Sequence, residues 1–158
     1  MTAHGPITIR VDTREQSPLA FDPARAVTVR GTVPVFDYAL DGDEDNFAVE
    51  RKSLADFIVS MVMPDAFDRE LTKVLKARVV GMAPITYVVE GRWSALFRQS
   101  TYARFRSKSV GPGLLQQRWR HLQFVERVSV VWACDAVHAA HAVYGLLKIR
   151  SEYLKENT

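Results

Sequence analysis

A chain of 158 residues with 47% hydrophobic and 25% charged content has the composition of one globular domain with room for a real core. It has no run of about eighteen apolar residues, and the opening MTAHGPITIRVD lacks the basic and apolar regions of a secretory signal. These features argue against membrane insertion or export and for an intracellular protein. The 21 basic residues exceed the 18 acids by only +3, but the signs are segregated: Arg92 to Arg127 holds eight basic residues against one acid, and Asp37 to Asp56 holds seven acids against two bases.

In chain order, ITIRVD (Ile7 to Asp12) alternates apolar and polar residues and predicts a half-buried strand ending on Asp12. TREQSPLAFDPAR reads as a loop through Pro18 and Asp22-Pro23. AVTVR and VFDYAL read as extended, with Gly31 and Pro34 between them marking a bulge or an edge. DGDEDN is a turn by composition, and NFAVERK is the next strand. In SLADFIVSM the apolar period becomes helical, with Ser53 and Asp56 spaced as a capping box; Pro64 interrupts it, and a second helical run ends at Gly81. ITYVVEG predicts a strongly apolar strand, LLQQRWRHLQFV a helix and VSVVWA a buried strand. Asp135 opens a last helix with Val137, Ala140, Tyr144 and Leu147 inward. This order points to an α/β domain in which a central mixed sheet is flanked by helices, with a core over about residues 7–150.

The strands around DGDEDN carry the chemistry. If Val35 to Leu40 and Phe47 to Lys52 pair as a hairpin, the turn centre falls between Asp43 and Glu44, and Asp37 lies across from Glu50. The period of two puts Lys52 on the same face as Glu50, gathering two carboxylates and an ammonium. Two such carboxylates suit a hard divalent cation, Mg2+ or Mn2+, and a neighbouring lysine suits an anionic phosphoryl transition state. A bare acid-x-lysine triplet also arises as an exposed cross-strand ion pair, which contributes little.

Two motifs add a resemblance. VERKSLAD (Val49 to Asp56) resembles the VERKxxxD signature of the XPF-type structure-specific DNA endonucleases, and VDTRE (Val11 to Glu15) resembles the motif that opens their nuclease domain. The similarity runs from about Ile7 to about Leu147 and includes YVVEG at Tyr87 to Gly91. It implies a restriction-endonuclease-like PD-(D/E)xK fold and metal-dependent phosphodiester hydrolysis near branched or single-strand/duplex junctions of DNA. Carried over by position, it implies Asp37 and Glu50 as the main metal ligands, with the Arg51 carbonyl as a further contact. Lys52 becomes the catalytic lysine, and Asp12 a holder of a second ion or of a metal-bound water. Arg14, Glu15, Arg51, Asp56 and Glu70 become supporting residues, although a helix cap suffices for Asp56 and a solvated helix face would explain Glu70.

The chain departs from the family pattern at Phe36, where a glycine is common, and at Ala66, where an arginine is common. Gly42-Asp43 is the other anchor for the glycine-aspartate pair, but it would leave Asp43 at the hairpin tip, away from Glu50. No tandem helix-hairpin-helix domain is expected, and the GPG at Gly111 to Gly113 reads as a helix start. Family members often work as dimers, so a homodimer or heterodimer on forked DNA is expected. Arg98, Arg104, Arg106 and Lys108, interleaved with Tyr102 and Phe105, are the candidate DNA contacts, with core packing the competing role for the two aromatics. Cys134, His138 and His141 suggest zinc only weakly, because no fourth ligand accompanies them. Two other functions compete with the structure-selective endonuclease: a noncatalytic DNA-binding partner subunit, and a restriction-like nuclease acting on ordinary duplex.

Overall fold

The alternating Ile7, Ile9 and Val11 form the first strand of a six-stranded sheet in a computed structural model that describes residues 5–157. The strands are β1 (Ile7–Asp12), β2 (Ala26–Gly31), β3 (Tyr38–Leu40), β4 (Ala48–Ser53), β5 (Ile85–Glu90) and β6 (Val128–Ala133), in the order β2-β1-β3-β4-β5-β6. β1 runs parallel to β2 and antiparallel to β3, β3 runs antiparallel to β4, and β4, β5 and β6 run parallel. The near-continuous apolar run of β5 matches its place between two parallel neighbours, since both of its faces are covered. β2, at the edge, is half exposed.

Helices α1 (Leu54–Val62), α2 (Pro64–Val79) and α3 (Pro112–Arg120) cover one face, and α4 (Ala136–Glu156) covers the other. Phe57, Met61, Val74 and Leu115 share the first core with Phe36 and Tyr87. Val143 and Leu147 of α4 pack with Ile9, Tyr38, Val49 and Val88 in the second. Local chemistry sets the helix ends. The Ser53 hydroxyl accepts the Asp56 N–H at 3.0 Å at the start of α1, and Asp135 accepts the His138 N–H at 2.9 Å at the start of α4. Met63 is extended and Pro64 opens α2, which separates two helices that the periodicity nearly fuses. Gly81, with φ of 91°, ends the second: its N–H donates to the Arg78 carbonyl and the Met82 N–H to the Ala77 carbonyl.

One expected strand is shortened. VFDYAL pairs only from Tyr38, because the Val33 N–H donates to the Asp12 carboxylate at 2.8 Å and Pro34 has no N–H for a ladder. Phe36 needs no glycine-like backbone, since the positive-φ non-glycine among the described residues is Arg127. Its ring instead packs edge-on against Tyr87 at 5.9 Å. No helix among the described residues is long and apolar enough to cross a membrane.

Candidate active site

β3 and β4 pair Tyr38 with Val49 and Ala39 with Ala48, the register that the turn midpoint predicts. The ladder ends at Tyr38, and Asp37, just before it, lies close enough to Glu50 to feel its charge. Two bonds to β4 fix it: the Asp37 N–H donates to the carbonyl of Val49, the partner of Tyr38, at 3.1 Å, and the Arg51 N–H donates to the Asp37 side-chain Oδ2 at 2.9 Å. Glu50 and Lys52 share a face of β4 and are only 3% and 8% exposed. The cluster is therefore far from an exposed ion pair.

α2 crosses this face and supplies two more charges. Lys52 Nζ donates to Glu70 Oε1 at 2.9 Å and lies 3.5 Å from Glu50 Oε1, while the Tyr87 hydroxyl donates to Glu70 Oε2 at 3.0 Å. Glu70 is thus a buried partner of the candidate catalytic lysine and does not lie on a solvated helix face. Lys73, one turn further along α2, places its Nζ 2.5 Å from Glu50 Oε1. Sequence reasoning missed this residue. Its signal was the i, i+3 spacing of Glu70 and Lys73, which places both on one helix face. Glu50 Oε2 is buried without a hydrogen-bond partner among the described residues.

These surroundings set the charge states. Burial, followed by the Glu50 charge, pushes the Asp37 carboxyl up to about 7, although the Arg51 N–H and Lys73 oppose the rise. Burial lowers the Lys52 pKa, but Glu50 and Glu70 outweigh it and hold the ammonium above its ordinary value. Burial and the two neighbouring glutamates raise Tyr87 well above the phenol range, so its hydroxyl remains a donor to Glu70.

The remaining candidates frame the cluster. Arg51, on the opposite face of β4, bonds Glu90 at the end of β5, donates to the Ser17 carbonyl at 2.5 Å and lies 3.4 Å from Glu15. Arg51 and Glu15 thus tie the first loop to the sheet. Gly91 follows Glu90 with φ of 155°, and a Cβ there would meet Leu54 Cβ at 2.7 Å, so glycine lets α1 start close to the end of β5.

Asp12, expected to hold a second ion or a metal-bound water, is engaged by three hydrogen-bond donors. Its oxygens take the Val33 N–H, the Arg14 N–H at 2.9 Å and Arg14 Nε at 2.6 Å, which makes it the anchor of a turn. Although burial alone would raise its pKa, these donors lower it. Among the described residues no group of three or more acids, histidines or cysteines is placed to hold a metal, and Cys134, His138 and His141 form no such group. Asp56 caps α1 and is exposed. Asp43 bonds Arg150 of α4 at 2.6 and 3.0 Å and takes no part in the cluster.

The basic segment divides in two. Arg98, Arg104, Arg106 and Lys108 are exposed, with Arg104 stacked over Phe105 at 5.0 Å. Tyr102 corrects the expectation of a base-stacking residue: it is 2% exposed, and its hydroxyl donates to the Leu96 carbonyl at 2.7 Å within the core. No period marked the segment because two short 3-10 turns, Trp93–Phe97 and Gln99–Tyr102, bury single residues at irregular spacing.

Comparisons with known proteins agree with this architecture. XPF from Aeropyrum pernix superposes with a TM-score of 0.63 at 20% identity, covering 90% of this chain and 61% of that one. The structure of XPF from Aeropyrum pernix in complex with DNA gives a TM-score of 0.65 at 21% identity, covering 92% and 66% respectively. The chain therefore spans under two thirds of either protein, and the likeness establishes the restriction-endonuclease-like fold shared with the XPF nuclease domain. No curated protein sequence matches significantly. The ERCC4 domain profile matches residues 11–146, from the end of β1 into α4, and the chain accordingly belongs to the ERCC4 domain family, that of the XPF-type structure-specific nucleases.

Proposed function

We propose that the chain is a Mg2+- or Mn2+-dependent endonuclease that hydrolyses DNA phosphodiester bonds beside branches or single-strand/duplex junctions. The observation that carries this reading is Glu50, a buried carboxylate whose charge acts on Asp37 and which keeps one oxygen without a partner. A folded protein seldom leaves such an acceptor bare unless it has a use. All-oxygen donors fit a hard divalent ion, so Asp37 and Glu50 would hold it, with Asp12 supporting the site through the Val33 turn. When bound, the ion supplies a more acidic water and polarises the phosphate. Lys52, kept charged and aimed by Glu70, stabilises negative charge developing on the phosphoryl oxygens. Arg98, Arg104, Arg106 and Lys108 bind the DNA backbone.

Junction preference rests on membership of the ERCC4 domain family, and DNA as the ligand is further supported by the DNA complex of the structurally similar Aeropyrum pernix protein. A dimer inside the cell belongs to the same proposal, since α4 exposes Val137, Ile149 and Tyr153. The test uses end-labelled forked and linear DNA with and without Mg2+ or Mn2+, comparing wild type with Lys52→Ala and Asp37→Asn. Metal-dependent cutting that favours the fork and is lost in both variants is the expected result. Equal cutting of linear duplex would replace junction selectivity with restriction-like action. Binding without cutting by all three proteins would make the chain a noncatalytic subunit.

A further inference from the structure

α2 presents Glu70 and Lys73 to the cluster one turn apart, and their contacts are reciprocal: the acid holds the lysine of β4, and the lysine holds the acid of β4. We propose that Lys73 is the resident counter-cation of Glu50 and competes with the divalent ion for that carboxylate, setting the ion concentration at which the site fills. The inference rests on the reading of Asp37 and Glu50 as metal ligands.

Glu50 is 3% exposed, and a carboxylate so buried needs a cation close by. Lys52 meets that need only in part, since its ammonium lies 3.5 Å from Glu50 but 2.9 Å from Glu70. Lys73, at 2.5 Å, is the nearer cation. The two lysines also differ in their freedom to leave. The Lys52 side chain is 9% exposed and held between two acids, whereas the Lys73 side chain is 32% exposed and reaches Glu50 from the rim. A long flexible stem lets such an ammonium swing into water while its carbons stay on the protein surface. Lys73 is therefore the charge that gives way, and even an incomplete departure leaves a positive charge that weakens binding of a second cation.

The test is a Mn2+ titration of the whole chain, read from the EPR signal of the free ion, on wild type, Lys73→Met, Lys73→Arg and Glu50→Gln. Lys73→Met is expected to bind Mn2+ roughly five times more tightly, with Lys73→Arg close to wild type. In the metal-free state Lys73→Met should melt at a lower temperature than wild type, and saturating Mn2+ should raise its melting temperature by more. A Lys73→Met affinity equal to or weaker than wild type overturns the proposal, and Lys73→Gln, which keeps a polar end, repeats the measurement should the methionine variant fold poorly. Undiminished Mn2+ binding by Glu50→Gln would instead overturn the ligand assignment itself. Loss in Glu50→Gln alongside no gain in Lys73→Met rejects only the role of Lys73.

Discussion

The charged cluster on β4 and α2 and the basic segment from Arg98 to Lys108 are both dense in ionisable side chains, but their charges are used differently. In the cluster the charges are buried or at the rim, and four of them are paired, Lys52 with Glu70 and Lys73 with Glu50, with the Tyr87 hydroxyl bonded to Glu70, while Asp37 takes only the Arg51 N–H. In the segment the arginines and the lysine stand in water around a buried tyrosine. Burying opposed charges is costly unless geometry is held rigidly, and here a sheet and a helix supply that rigidity. Exposed charges need no such frame, and they suit a ligand whose phosphates vary in position. The contrast separates a region whose charged side chains are fixed in place from one whose charges stand free in solvent.

Substitutions that move function and stability independently test this division. The largest effect is expected from Lys52→Ala, with single-turnover cleavage of forked DNA falling by roughly 10²–10³. Fork binding in Ca2+, followed by fluorescence anisotropy, should stay near wild type. A large binding loss would place Lys52 in the DNA-gripping surface and erase the distinction. Next is Glu70→Ala, which strips the near partner from the buried Lys52 ammonium and the acceptor from the Tyr87 hydroxyl. Urea unfolding should show a loss of about 2–3 kcal/mol, with Glu70→Gln milder.

Asp37→Asn tests the electrostatic tension in the metal-free protein. The native carboxyl, raised to about 7, is protonated more readily than in the unfolded chain, so its contribution favours folding most at low pH and becomes a penalty as pH rises through 7. Asparagine removes that penalty. In EDTA the variant should gain roughly 1–2 kcal/mol over wild type at pH 8 and less at pH 5, read from melting curves. A gain independent of pH would count against a strained charge at Asp37.

Tyr102→Phe should cost about 1 kcal/mol of stability by leaving the Leu96 carbonyl without its donor, with DNA affinity unchanged. Arg98→Ala, Arg106→Ala and Lys108→Ala should do the reverse. Each should lower the slope of log affinity against log salt by about 1, with stability within about 0.5 kcal/mol of wild type.

Much of this arrangement was legible before the chain was folded. The alternation in Ile7 to Asp12, the Ser53 and Asp135 caps, the helix stop at Gly81 and the register of β3 on β4 all follow from rules acting within a few residues or across one turn. Such signals survive in sequence because the interacting groups lie near one another along the chain. The tertiary structure alone decided three other matters. It brought Lys73 to Glu50 across 23 residues, it gave the Asp12 carboxylate to the Val33 N–H across 21, and it turned Tyr102 inward. Each depends on how α2 or a loop packs onto the sheet, and side chains of the same type would serve equally well in water. Which charge is buried, and against what, is set by the three-dimensional packing of distant segments, and no local pattern encodes it.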